Sequence, residues 1–433
     1  MNVLFLTMSK MLTIEQRGIY TDLMRKFRSE GHDLYIVSPT ERRDGRKTML
    51  IEQDGVHILS VKTLNVQKTN VIEKGLGQVS IEFLFKRAIH KHFADVKFDL
   101  ILYSTPPITL MGVVKDMKRR NPGALCYLLL KDIFPQNAVD MGMMKKTGVK
   151  GLLYKHFRKQ EEELYKVSDY IGCMSPANVR YVLKHNPWID PKIVEVAPNN
   201  VTLLNDGSTG SPTNENENWA AKRKEILKKY NLPTDKPIFI YGGNLGAPQG
   251  IPFLIKCLDA NKNRENCHFV VVGTGTYYQQ LTDWYKANLK PFETLKPSET
   301  LSVTVMKGLP KEDYDKLVKA CNIGLIFLDY KFEIPNFPSR MLSYLENKMP
   351  VLCATDPNCD MGQIANENGF GMWVPSNNVE SFTQAVNDML KRDMKAMGDK
   401  GFEFLKNNYL TDHTYGKIVA HLNPNLNLNE DGK

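Results

Sequence analysis

Short apolar runs alternate with amphipathic helical patterns along this chain, and no other feature of its 433 residues narrows the fold so far. Val3–Leu6 is an apolar run of strand length. Ile19, Tyr20, Leu23, Met24 and Phe27 then recur at helical spacing, and Leu34–Val37 is a second run after a Gly31-His32 turn. These periods predict strand, helix, strand. Further strands are predicted at Phe98–Ser104, Ala124–Lys131, Tyr170–Met174 and Ile193–Ala197. A polar stretch, Asn205 to Asn218, interrupts the series as an exposed loop after a domain boundary does. The series restarts at Pro237–Tyr241 and continues through Phe269–Val272, Leu301–Met306, Ile323–Leu328 and Val351–Ala354. Strands alternating with helices build parallel, doubly wound sheets, and a chain this long suits two cores. The expected class is α/β, with two Rossmann-like doubly wound domains facing across a cleft at the carboxyl ends of their strands. Their expected bounds are residues 1–200 and 201–410, with 411–433 supplying a closing helix, Thr411–Leu422, and an Asn-rich tail.

Charge is divided unevenly between these halves. Residues 1–200 hold 31 Lys/Arg against 21 Asp/Glu, and the remainder 26 against 27. A basic first half faces an anionic surface. Nucleic acid is disfavoured, because zinc-finger spacing, an RNA-recognition signature and a basic aromatic platform are all missing. Lys145, Lys146, Lys150, Lys155, Arg158 and Lys159 are interleaved with Val149, Leu152, Leu153, Tyr154 and Phe157. On a helix, Val149, Leu152, Leu153, Phe157 and Leu164 fall largely along one stripe. Two readings stand: an interfacial helix on an anionic membrane, or a surface helix whose stripe enters the core.

Met1–Thr7 lacks a basic leader and a small-residue cleavage site, so it reads as a strand and not as a signal peptide. No apolar stretch approaches the roughly 18 residues of a spanning helix. The seven cysteines contain no Cys-x-x-Cys and sit mostly in apolar runs, as buried thiols of a reducing cytoplasm do. The expectation is a cytoplasmic protein with at most peripheral membrane contact.

The chemistry-bearing residues concentrate in the second half. Tyr241-Gly242-Gly243-Asn244-Leu245-Gly246, followed by Gln249-Gly250, lies between a predicted strand and the helix Pro252–Leu258. Glycines there let main-chain amides approach a diphosphate. The loop is neither a Walker loop nor a dinucleotide fingerprint. Farther on, Glu333-Ile-Pro-Asn-Phe-Pro-Ser-Arg340 opens a helix: Ser339 and the guanidinium of Arg340 can hold phosphate oxygens, and Glu333 can address sugar hydroxyls. The alternative is a helix capped by Ser339 with a surface Arg. In the first half, Lys131-Asp132-Ile133-Phe134-Pro135 ends a strand, with Asp132 placed to bind sugar hydroxyls or to cap a turn; Ser104-Thr105-Pro106-Pro107 is another strand-end turn. Asp313-Tyr314-Asp315 reads as the acidic first turn of a helix, and the histidines lack metal spacing, so neither a metal nor a cofactor is expected.

The order of these features resembles family four of the glycosyltransferases, particularly the bacterial branch that builds capsular or O-antigen polysaccharide. The resemblance covers most of the chain. It rests on the Gly-Asn-Leu-Gly type loop, on Pro338-Ser339-Arg340, which is similar to the branch's Pro-Ser-Lys turn, and on Asp132-Ile-Phe-Pro135, which is similar to its Asp-Leu-Trp-Pro. It implies the GT-B fold, with an acceptor-side first domain and a second domain that binds a nucleotide sugar. It also implies a donor-side set of Gly18, Gly243, Asn244, Leu245, Gly246, Gln249, Gly308, Leu309, Ser339, Arg340, Ser343 and Glu346, with Asp132, Arg340 and Glu333 as catalytic positions. Gly308 and Leu309 stand where the family's backbone reads the base, and Asn199-Asn200 resembles its Pro-Asn turn. Departures are clear. The family's diphosphate-clamping Arg and Lys fall at Asn244 and Gln249, and its ribose-holding Glu falls at Ser343, with Glu346 one turn on. Arg340, helped by Lys331, must therefore carry more of the charge.

The activity implied is transfer of a sugar from a nucleoside-diphosphate sugar, UDP before GDP, to a polyprenyl-diphosphate-linked saccharide at the inner face of the cell membrane, with retained anomeric configuration. Two further readings stay open: a nucleotide-sugar 2-epimerase, and a catalytically silent sugar-nucleotide-binding subunit.

Overall fold

The computed structural model of the chain describes residues 1–65, 71–106, 108–203, 217–289 and 301–422. Pro107, most of the polar stretch Asn205–Asn218 and the tail Asn423–Lys433 lie outside them. The chain divides into two compact units, Met1–Thr202 with Tyr409–Lys433, and Leu203–Asn408.

The first unit is built on eight strands: β1 (Asn2–Leu6), β2 (Asp33–Glu41), β3 (Met49–Gln53), β4 (Val56–Thr63), β5 (Leu100–Thr105), β6 (Leu125–Leu130), β7 (Tyr170–Cys173) and β8 (Val194–Val196). They lie in the order β3-β4-β2-β1-β5-β6-β7-β8. All neighbours pair parallel except the edge pair β3 and β4. Val3–Leu6 and Leu100–Leu102 are wholly buried, as strands covered on both faces must be. The helix Ile19–Ser29 covers one face with Leu23, Met24 and Phe27. At Tyr409 the chain returns to this unit: Val201 bridges to Leu410, the Thr411 hydroxyl donates to Asn200 Oδ1 at 3.1 Å, and the helix Thr411–Ala420 packs on Ile19–Ser29 with Tyr415 edge-on to Phe27.

The second unit holds β9 (Ile238–Asn244), β10 (His268–Thr274), β11 (Val303–Lys307), β12 (Ile323–Phe327), β13 (Val351–Thr355) and β14 (Gly371–Pro375), all parallel, in the order β11-β10-β9-β12-β13-β14. Its core interleaves Phe239, Phe269, Phe327 and Phe382, each side chain stabilising the unit by about 1.5–3 kcal/mol. In each sheet the winding direction reverses once, between β1 and β5 and between β9 and β12. Loops leaving the carboxyl ends of such neighbours diverge and leave a crevice, which is where open parallel sheets hold ligands.

Candidate active site

In the second unit the reversal lies between the glycine turn after β9 and the loop after β12. β9 continues in ladder register with β10 as far as Asn244, so Gly243 and Asn244 end the strand and do not begin a free loop. Gly242 is required by close approach, because a Cβ there would meet Tyr314 Oη at 1.9 Å. Gly243 has φ 123°, a backbone region that side chains rarely adopt. The turn then closes through Ala247–Gln249 and Gly250 into the helix Ile251–Asn261. The Asp329 amide donates to the Pro248 carbonyl at 3.0 Å, which ties the β12 loop to this turn.

Not all the main-chain donors that the glycines promise are available. The Leu245 amide is taken by the Thr274 carbonyl at 2.9 Å, and its side chain is fully buried. The Gly246 amide donates to Gln249 Oε1 at 3.2 Å, and Asn244 Nδ2 donates to the same oxygen at 3.1 Å. The two uncharged residues at the clamp positions thus hold each other and the turn.

Arg340 begins the helix Arg340–Glu346. Its guanidinium carbon stands 4.4 Å from the centroid of the Tyr241 ring, and its Nη2 lies 3.6 Å from where a Gly243 Cβ would be. Nη1 is fully buried and has no hydrogen-bond partner among the described residues. The ionisable groups that act on it most strongly are the phenols of Tyr241, Tyr344 and Tyr314. Burial pushes Tyr314 up to about 12 against the pull of the Arg340 charge, and raises Tyr241 and Tyr344 as well, so all three stay neutral. A positive charge is therefore held against the Tyr241 ring among neutral phenols, with no carboxylate paired to it among the described residues. A buried cation left in this way favours a charged ligand.

The remaining donor-side residues take varied positions. Ser339 is exposed and its side chain makes no cap bond, so the capping alternative is not realised. Ser343 is half-buried one turn beyond Arg340, its carbonyl accepting from Asn347 Nδ2 at 2.8 Å; Glu346, also half-buried, ends the helix. Lys331 and Glu333 are exposed on the β12 loop. Gly308 is exposed after β11, its Cβ direction 3.3 Å from Thr274 Cγ2, and Leu309 beside it is half-buried. Asp313 pairs with Lys229 at 3.1 Å and Asp315 with Lys311 at 2.6 Å, on the helix Lys311–Ala320.

In the first unit Asp132 follows β6. Thr105 Oγ1 donates to its carbonyl at 3.1 Å and accepts the Lys131 amide at 3.2 Å, which binds the ends of β5 and β6 together. Asn137 Nδ2 donates to Asp132 Oδ2 at 2.5 Å. Burial raises the Asp132 carboxyl to about 6, the Asn137 bond working in the opposite direction. Lys131, which sequence reasoning did not select, donates to the Ala197 carbonyl at 3.0 Å and is lowered by burial to about 7. Gly18 is exposed and lines a pocket of about 440 Å³ at the end of β1, with Lys10, Gln16, Arg17 and Tyr20. A Cβ on Gly18 would meet only Thr21 Oγ1, at 3.1 Å. Asn199 and Asn200 are buried, and Asn200 serves the returning chain.

Comparison with known proteins meets this geometry in its second unit. Residues 222–403 match the family model described as Glycosyl transferases group 1. The probable glycosyltransferase WbjE of Pseudomonas aeruginosa is 22% identical over 367 residues, which cover 83% of this chain and 82% of that protein. Among solved structures, sucrose-phosphate synthase from Thermosynechococcus elongatus superposes with a TM-score of 0.67 at 12% identity, covering 98% of both chains. The trehalose-6-phosphate structure from E. coli bound with UDP-2-fluoro glucose gives 0.68 at 9% identity over 97% and 98% of the two chains. A glycosyltransferase from Rickettsia africae gives 0.63 at 15%, covering 99% of each. These structures establish the fold class, GT-B. The matched domain and the WbjE likeness establish the enzyme class, a glycosyltransferase.

Proposed function

We propose that this enzyme moves a sugar from a UDP-sugar to a lipid-linked saccharide at the inner face of a bacterial cell membrane, in the assembly of a capsular or O-antigen type polysaccharide. The observation that carries the donor half is Arg340, whose buried Nη1 has no hydrogen-bond partner among the described residues and whose guanidinium lies over Tyr241 beside the Gly243 turn. A diphosphate supplies the charge that this pocket lacks, and UDP is favoured by the nucleotide sugar bound in the E. coli neighbour. The WbjE likeness and the branch's Asp-x-x-Pro and Pro-Ser-basic turns support the polysaccharide setting.

In this reading the sugar C1–O bond to the diphosphate breaks as the acceptor oxygen bonds to C1 from the same face. The departing phosphate oxygen takes the acceptor proton, and the configuration is retained without a protein nucleophile. Arg340 is worth most as negative charge builds on the departing diphosphate. Glu333 and Ser339 address the donor, Ser343 and Glu346 its ribose, and Gly308 with Leu309 its base. Asp132, a carboxylate above pH of about 6, accepts a hydrogen bond from the acceptor.

The test offers purified protein a panel of labelled sugar nucleotides with polyprenyl-diphosphate saccharides and identifies products by mass. A lipid product heavier by one sugar, from a UDP-sugar, is expected. A new sugar nucleotide formed from the donor alone would establish the epimerase instead.

A further inference from the structure

We propose that the outward face of the helix Gly148–Val167, with the loop before it, is a docking surface for anionic lipid headgroups. The face is set by what the helix buries: Gly151, Glu161, Leu164 and Tyr165 point inward. Leu152, Leu153, Lys155, His156 and Lys159 therefore lie on the outer side, and all five are exposed. Leu152 is 68% and Leu153 49% exposed, and Met143 in the preceding loop is 63% exposed, an uncommon concentration of large apolar side chains in solvent. The stripe expected from the sequence thus divides, with Leu164 entering the core, Phe157 half-buried against Phe134, and the leucine pair facing out.

Charge selects the occupant. Residues 141–160 contain six basic residues and no carboxylate. Arg158 turns inward to Glu161 at 2.6 Å, but Lys145, Lys146, Lys155 and Lys159 are exposed around the apolar group. Ammonium groups ringing inserted leucines suit an anionic bilayer, whose headgroups meet the lysines while the leucines reach the acyl boundary. A second copy of this face would be repelled by it. The helix is also continuous with the site. The Phe157 ring meets Phe134 at 5.2 Å between centroids, and Phe134 lies two residues beyond Asp132. The surface would hold the Asp132 loop near a membrane-borne acceptor, a purpose that rests on the lipid-linked acceptor proposed above; lipid binding itself does not.

Co-sedimentation of the full chain with vesicles tests this surface. Binding to equimolar phosphatidylglycerol and phosphatidylcholine vesicles is expected, with at least tenfold less to phosphatidylcholine alone, and weakening as salt is raised. Leu152→Asn with Leu153→Asn should lower partitioning by about tenfold per leucine. Lys145→Ala, Lys146→Ala and Lys155→Ala together should lower it about 100-fold, at roughly fivefold per charge. Both variants should keep the wild-type melting temperature and wild-type transfer to a water-soluble acceptor analogue. No binding to the anionic vesicles, or equal binding by the variants, overturns the surface and leaves the face to an acidic protein partner. Failure of transfer to every acceptor, with vesicle binding intact, overturns the enzymatic reading alone.

Discussion

At the carboxyl edge of the first sheet, burial acts by moving protons, lowering Lys131 to about 7 and raising Asp132 to about 6, whereas at the second sheet it encloses a guanidinium that has no proton to release. A titratable group relieves its own desolvation by changing charge. Arg340 cannot, so its desolvation cost persists. One edge is thus adjustable near neutral pH and the other is permanently charged, a division that the transfer proposed above would use.

The largest effect should come from removing the fixed charge. Arg340→Ala should lower kcat by about 10²-fold or more, and Arg340→Lys should recover no more than about tenfold, since an ammonium has no planar face for Tyr241. Steady-state kinetics with the UDP-sugar would show this, and wild-type turnover in the Ala variant would break the comparison. Asp132→Asn comes next, with a fall of about 10–10²-fold in turnover accompanied by a gain in stability. The sign follows from the raised carboxyl: its contribution to stability is fully present below about pH 4 and is lost as pH rises through about 6. The Asn variant should therefore melt higher than wild type at pH 7, by about 1–3 kcal/mol, and equal it near pH 4, in thermal scans at the two pH values. Tyr241→Leu keeps an apolar side chain in the core and removes the ring beneath the guanidinium, so kcat/KM should fall about five- to tenfold. Ser339→Ala should have the smallest effect, a rise in donor KM of about three- to fivefold with an unchanged melting temperature, because the hydroxyl caps nothing. A clear loss of stability there would return Ser339 to a purely structural role.

Much of the fold was legible because buried parallel strands are written as continuous apolar runs, and Val3–Leu6, Ile323–Leu328 and Val351–Ala354 are of that kind. The β3–β4 hairpin was not. Met49-Leu-Ile-Glu-Gln53 is a half-exposed edge, and the turn at Gly55 joins it to a strand that carries His57 and Lys62. β14 was missed too, since Gly371 and Pro375 bound a run of only three residues. At the candidate site, Arg340 was legible from residue type and neighbours on the chain. The phenols that act on it were not, because Tyr241, Tyr314 and Tyr344 come from a strand and two helices and gather only in three dimensions. Lys131 and the raised Asp132 escaped for the same reason: desolvation belongs to the packed sheet edge, and no local pattern encodes it.

The bridge between Val201 and Leu410 has a consequence for how this polypeptide can be taken apart. The segment Leu203–Asn408 departs from the first unit and comes back to it at adjoining backbone positions, so the excursion resembles a parenthesis within a sentence that stays grammatical without it. Shortening a closed excursion costs little loop entropy when its ends already touch. Replacing 203–408 by a short Gly-Ser connector should leave a first unit that folds with its own returning helix, and the excised segment should fold as an independent piece able to bind a sugar nucleotide.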